Sequence, residues 1–243
     1  MILLLTACTI LEGDGVAASQ GRDVEGLTGL SAETFVDVVV TPAEQASAEL
    51  FCDQNLLEHV ITELDGGVLR VRTSPELVLN PRLDCVLELE APCLQHIASS
   101  GSGLVSSTEV LCSTESLHSS GSGGISLIGV SSESLDLHGS GSGAVDAGQL
   151  DVGSVDAHFS GSGGGSASGL CGDIDLHVSG SGGFMAQPLS CQTAAITVSG
   201  SGDVELTVTD SASVSTSGSG DVDLWGGASV VSDSSGSGDV TVH

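Results

Sequence analysis

Val198-Ser-Gly-Ser-Gly-Asp-Val204 is one copy of a segment that returns throughout the second half of the chain. Ser-Gly-Ser-Gly begins at Ser100, Ser120, Ser140, Ser160, Ser179, Ser199, Ser217 and Ser235, in steps of 20, 20, 20, 19, 20, 18 and 18 residues. A Gly/Ser tetrapeptide alone suggests a flexible linker. A linker has no reason to keep a fixed period, nor to hold β-branched residues in register between its copies. Periods near 20 point instead to a solenoid, in which one coil cannot bury its apolar face alone and stacking supplies the core.

Between tetrapeptides the apolar residues alternate. The second residue after each is Val105, Ile125, Val145, Phe184, Val204, Val222 or Val240, with Gly165 the exception, and two further on come Leu127, Leu206, Leu224 and Val242. The pattern returns before the next tetrapeptide as Leu135/Leu137, Val155/Ala157, Ile174/Leu176 and Ile196/Val198. Period two, Gly at the corners and no helical window predict an all-β chain, a right-handed parallel β-helix of about 18–20 residues per coil. Equivalent residues then stack at roughly 4.8 Å, so seven steps make a column about 34 Å long. The tetrapeptide glycines are expected to serve either positive φ or close backbone approach.

The 243 residues suffice for a sizeable core. Four Arg and no Lys stand against 32 acids, giving a net charge of −28. Such a chain is repelled by a phosphate backbone, which excludes nucleic acid as a partner. With Tyr absent and Trp present once, base stacking and most sugar-stacking clefts are disfavoured. Hydrophobic residues at 40% and a mean hydropathy of +0.31 argue against disorder. No apolar run is long enough for a spanning helix.

At the N-terminus, Leu5-Thr6-Ala7-Cys8 resembles a bacterial lipobox, which implies a partial lipoprotein signal over 1–7, lipidation of Cys8 as the membrane anchor, and a polar tether over 8–26. The basic start is missing and the apolar stretch is short, as a start assigned too late would leave it. Thr9 is not an Asp retention signal, so the resemblance implies an extracytoplasmic, lipid-anchored protein of the outer membrane.

The repeat is also similar to the head GIN family of auto-transporter adhesin domains, whose hallmark is an apolar strand followed by SGSGD[VI]. Val198 to Val204 and Gly218-Ser-Gly-Asp-Val-Asp-Leu224 match it. Phe35-Val-Asp-Val-Val-Val40, Asp53-Gln-Asn-Leu-Leu57, Asp65-Gly-Gly-Val-Leu-Arg-Val71 and Val86-Leu-Glu-Leu-Glu-Ala-Pro92, then Leu94 and Ile97, resemble the family's leading segment in order. The resemblance covers about residues 27–243 and implies a right-handed β-helix in a cell-envelope protein of no established activity. It divides the chain into a leading irregular β segment over 27–98 and a Ser/Gly-cornered helix over 99–243. Coils one to five depart from it, with Leu104, Gly124, Ala144, Gly164 and Gly183 where the family has Asp.

Cysteines test the register. Cys171 and Cys191 each stand eight residues before a tetrapeptide and should pair across adjacent coils at the ~5.5 Å a disulfide favours. Cys112 is also at minus eight and Cys93 at minus seven, which predicts a second pair, and Cys52 with Cys85 remains by elimination. Each loop of ~20 residues so closed contributes roughly 3 kcal/mol. The absence of Cys-x-x-Cys spacing weighs against a cysteine metal site.

Four histidines share the position two before the tetrapeptide: His118, His138, His158 and His177. Asp136, Asp156 and Asp175 precede the last three by two, with an apolar residue between, so Asp and His should face outward together. Stacked, they form carboxylate and imidazole ladders able to take Zn²⁺, Ni²⁺ or Cu²⁺ or to respond to pH, against the plainer reading of a solvated face copied by duplication. A second acidic ladder, Asp203/Glu205, Asp221/Asp223 and Asp239, carries like charges at rung spacing and calls for counterions or Ca²⁺. Catalysis has little support. The four Arg precede the regular coils, and no Gly-x-Ser-x-Gly elbow occurs. The expectation is a non-catalytic surface scaffold or adhesion module that engages an envelope polymer or protein. A metal-binding or pH-responsive protein is the alternative, with no cofactor expected beyond Zn or Ca.

Overall fold

The computed structural model describes residues 9–243, so the expected signal remnant and the lipidation site Cys8 lie outside the described residues. From Gly129 onward one strand serves each coil: Gly129–Gly139, Val145–Phe159, Gly165–Val178, Phe184–Val198 and Val204–Thr216. Each pairs in parallel with the next, and the stack closes on Val222–Trp225, Ser229–Ser234 and Val240–Val242. This is the expected β-solenoid, of about seven turns. Among the described residues no helix is long and apolar enough to cross a membrane.

The alternation sorts side chains as the pattern requires. Val105, Ile125, Val145, Phe184, Val204 and Val222 are buried, as are Leu135/Leu137, Ile174/Leu176 and Ile196/Val198. Gly165 breaks the column because Phe159, one of the largest buried side chains, fills its place. A Cβ on Gly165 would collide with the Phe159 ring, and one on Gly139 would lie 2.6 Å from Phe159 Cδ1. Phe159 stacks on Phe184 at 5.6 Å between ring centres.

Of the two roles expected for the tetrapeptide glycines, the structure shows close approach. None of them has a positive φ. A Cβ on Gly121, Gly141, Gly161, Gly180 or Gly200 would overlap a backbone carbonyl of the coil before it. The corners are laced by bonds such as Ser160 N–H to Gly139 O at 2.9 Å and Ser162 N–H to Gly141 O at 3.1 Å. Two left-handed glycines of the coils sit at another corner, Gly148 (φ 65°) and Gly169 (φ 99°), where the ladder shifts register.

The leading segment supplies the first coil and a cap. Gly29–Ala32 pairs in parallel with His96–Ser99, and Asp37–Pro42 with Leu104–Ser107. The hairpin Val60–Asp65/Val68–Thr73 turns at Gly66-Gly67, both at positive φ as a two-residue turn needs. The expected tether differs from what is found. Thr9–Glu12 pairs with Leu77–Asn80, and Ala17–Arg22 pairs antiparallel with Ser47–Asp53, so residues 9–22 are folded against the cap. Asp53 holds this junction. Fully buried, it accepts the N–H of Gly15 at 2.6 Å, Arg82 at 2.9 Å and Leu83 at 3.1 Å. Burial pushes its carboxyl up, but those three N–H groups and the Arg82 charge outweigh that and hold it below the ordinary carboxylate value.

All six described cysteines are bonded in the expected pairs, two read from spacing and Cys52–Cys85 by elimination. Cys171–Cys191 join in-register rungs at a Cα separation of 4.5 Å, Cys93–Cys112 adjacent coils at 5.6 Å, and Cys52, in the strand Ser47–Asp53, is bonded to Cys85, just before the strand Val86–Ala91, at 4.3 Å.

Candidate functional site

The central residues Leu137, Ala157 and Leu176 are buried, which turns the flanking Asp and His of each triplet outward. Register then stacks them: His118, His138, His158 and His177 are partners on consecutive coils. Their rings lie 5.1, 5.0 and 4.8 Å apart, and those of His138 and His158 are within 6° of parallel. On three rungs a carboxylate meets the imidazole. His138 Nε2 is 2.8 Å from Asp136 Oδ1, His158 Nδ1 is 3.0 Å from Asp156 Oδ1, and His177 Nε2 is 3.2 Å from Asp175 Oδ1. His118 has Ser116 in the Asp column and no acid on its rung. Two atoms of this row, Asp136 Oδ1 and His158 Nδ1, are shielded from solvent yet make no aligned hydrogen bond despite those short distances. The row ends where Thr197 follows His177.

The second acidic ladder engages the backbone of the coil that follows it. Asp203 Oδ1 accepts the N–H of Asp221 at 2.9 Å, and Asp221 Oδ1 that of Asp239 at 2.8 Å. Asp37, in the same column of the first coil, accepts the N–H of Leu104 at 2.8 Å. Backbone N–H groups of the following coil therefore offset part of the ladder's charge, at Asp203 and Asp221. Asp223 is paired with His243 at 2.7 Å, and His243 stacks on Trp225.

A surface trough of about 910 Å³ has no counterpart in the sequence reading. It crosses five coils, from Ser154–Asp156 to Ser229 and Val231. The inward column Val155, Ile174, Ala194 and Ala212 backs it from the core side; on its open face Asp156, Asp173 and Asp175 stand at one end, and Thr193, Ala195, Ser211 and Ser213 along the rest. The available signal was a change of side-chain size within one column. Asp156 and Asp175 are followed in register by Ala195 and Ser213. Depth depends on where the strands bend, which periodicity does not encode.

Among solved structures the chain is similar to one described as a "putative lipid binding protein" from Parabacteroides distasonis, 20% identical, with 97% of this chain and 100% of that one covered and a TM-score of 0.87. A "putative adhesin" from the same organism is 21% identical, with 96% and 100% covered and a TM-score of 0.89. Another from Bacteroides fragilis is 18% identical, with the same coverage and a TM-score of 0.74. At these identities the likeness carries the fold alone. No curated protein matches the chain. A family profile matches residues 26–228. With its repeat, its corners and most of its length accounted for by that match, the chain belongs to the family described as "Putative auto-transporter adhesin, head GIN domain".

Proposed function

We propose that the protein is a non-catalytic, lipid-anchored interaction module of the cell envelope, which holds an extended basic segment of a protein partner in the five-coil trough. The trough carries this reading. Its four rung steps span roughly 19 Å, the length of about six extended residues. Lys or Arg stems would lie along the exposed Ala195 and Val231 while their heads meet Asp156, Asp173 and Asp175. The four Arg all precede residue 83, so no Arg of this chain lines the trough, and the groups beside its acids are the imidazoles of His158 and His177. The lining has no aromatic ring to stack on a sugar. Three disulfides suit an oxidising compartment, the lipobox-like Leu5 to Cys8 supports the anchor and Thr9 after it the outer-membrane address, and the adhesin family suits a binding role.

The test is fluorescence anisotropy of a labelled Lys-Ala-Lys-Ala-Lys-Ala peptide with soluble protein beginning after Cys8, near physiological salt. Ala195→Trp, which fills the trough, and Asp156→Asn with Asp175→Asn should each weaken binding at least tenfold. Glu44→Gln with Glu76→Gln, exposed acids of the leading segment, should change it less than twofold. Equal losses in both sets, or preference for neutral glycan fragments, would refute the assignment. For the anchor, Cys8→Ser should abolish incorporation of labelled palmitate and release the protein from membranes.

A further inference from the structure

We infer that Asp136, His138, Asp156 and His158 form a binding site for a late first-row divalent cation of the Zn²⁺ or Ni²⁺ kind, one imidazole and one carboxylate coming from each of two adjacent coils. The donor set is the first reason. Imidazole nitrogen with carboxylate oxygen suits these metals, whereas Ca²⁺ and Mg²⁺ favour oxygen alone. Spacing is the second. Ligands held at about 2.0–2.2 Å around a tetrahedral ion are roughly 3.3 Å from one another. The two pairs already place N and O 2.8 and 3.0 Å apart.

The third reason is the state of the atoms themselves. Asp136 Oδ1 and His158 Nδ1 are shielded from solvent, and each meets its own rung partner, at 2.8 and 3.0 Å, in a geometry too poorly aligned for a hydrogen bond. A cation bound between the coils gives both atoms a better-directed partner than that contact. The rings of His138 and His158 are stacked at 5.0 Å, and among the described residues no three donors already converge on a point. Closing the four around an ion therefore takes rotation of the side chains. These are 36–62% exposed and free to turn. A net charge of −28 also raises the local concentration of cations. His118 lacks a carboxylate on its rung and His177 with Asp175 is left as a single pair, so the stoichiometry is one ion per chain.

The experiment is calorimetric titration of Zn²⁺ into chelator-treated soluble protein with its disulfides intact, with thermal melts alongside. One Zn²⁺ per chain should bind and raise the melting temperature. His138→Ala with His158→Ala should weaken binding at least tenfold while keeping the native far-UV β spectrum, and Asp136→Asn with Asp156→Asn should weaken it measurably. His59→Ala with His96→Ala should leave it unchanged. Absence of a binding heat, or unaltered affinity in the His138/His158 variant, would overturn the site.

Discussion

Replacing Gly161 by Ala tests the reason for the repeat itself. The added Cβ would overlap Gly141 O and lie 2.5 Å from Ser140 O, and neither atom is the end of a side chain that could swing away. Relief requires the two coils to part at this corner. That stretches Ser160 N–H to Gly139 O, Ser162 N–H to Gly141 O and Gly163 N–H to Gly141 O, now 2.9, 3.1 and 3.0 Å. Three backbone bonds at about 0.5–1.5 kcal/mol each represent roughly 3 kcal/mol. The loss of unfolded-state freedom on going from Gly to Ala returns about 0.4–1 kcal/mol. The net expectation is a destabilisation of about 2–3 kcal/mol, or a fall of roughly 5–10 °C in melting temperature for a chain of this size. Urea unfolding followed by circular dichroism would read it, with amplitude as well as midpoint recorded because a solenoid can lose coils separately. Gly21→Ala is the control: nothing lies within 4 Å of its Cβ position and its φ is not positive, so it should be neutral or slightly stabilising. If the two variants unfolded at the same urea concentration, close approach would not explain the glycines.

Asp53 should confer acid sensitivity. Its folded pKa is lowered, so its contribution is fully present above the unfolded value of about 3.9 and is lost as pH falls through the folded one. Asp53→Asn should accordingly be less stable than the wild type at pH 7 and lose less between pH 5 and pH 3; parallel curves would contradict this. Replacing Cys171 and Cys191 together by Ala should cost up to about 3 kcal/mol in urea, whereas an unchanged midpoint would show that the bond does not constrain the unfolded chain. Gly165→Val should destabilise by roughly 1–3 kcal/mol through overpacking, and Phe159→Ala in the same chain should recover part of that. Failure of the second change to help would mean that Phe159 is not what excludes a side chain there.

Much of the fold was legible because a solenoid writes its register into the chain. Cys171 and Cys191, one period apart, had to meet, and so did the four histidines. Residues 9–22 were not legible. Their strands pair with Leu77–Asn80 and Ser47–Asp53 across long separations, and the outward-facing polar residues of Ala17–Arg22 leave little alternation to read. Asp203 and Asp221 were visible as a ladder, but its chemistry was not. A count of like charges cannot reveal that each carboxylate faces the N–H of the next coil.

Departures from the repeat proved more informative than the repeat. Gly165 breaks the apolar column because Phe159 occupies its space. Ala195 and Ser213 break the outward acidic column, and the trough runs past both. Where the histidine row gives way to Thr197, the same coil begins the small, hydroxyl-bearing half of the trough. Duplication alone would have carried Asp and His onto every rung. Their loss from the Ala195 coil onward separates an imidazole–carboxylate surface over residues 136–177 from a shallow channel that continues to Val231, so the two proposed sites adjoin and share Asp156. Only Asp156 and Asp175 border both. Zn²⁺ held by Asp156 should therefore weaken binding of the basic peptide, and it should no longer do so in the His138/His158 double variant.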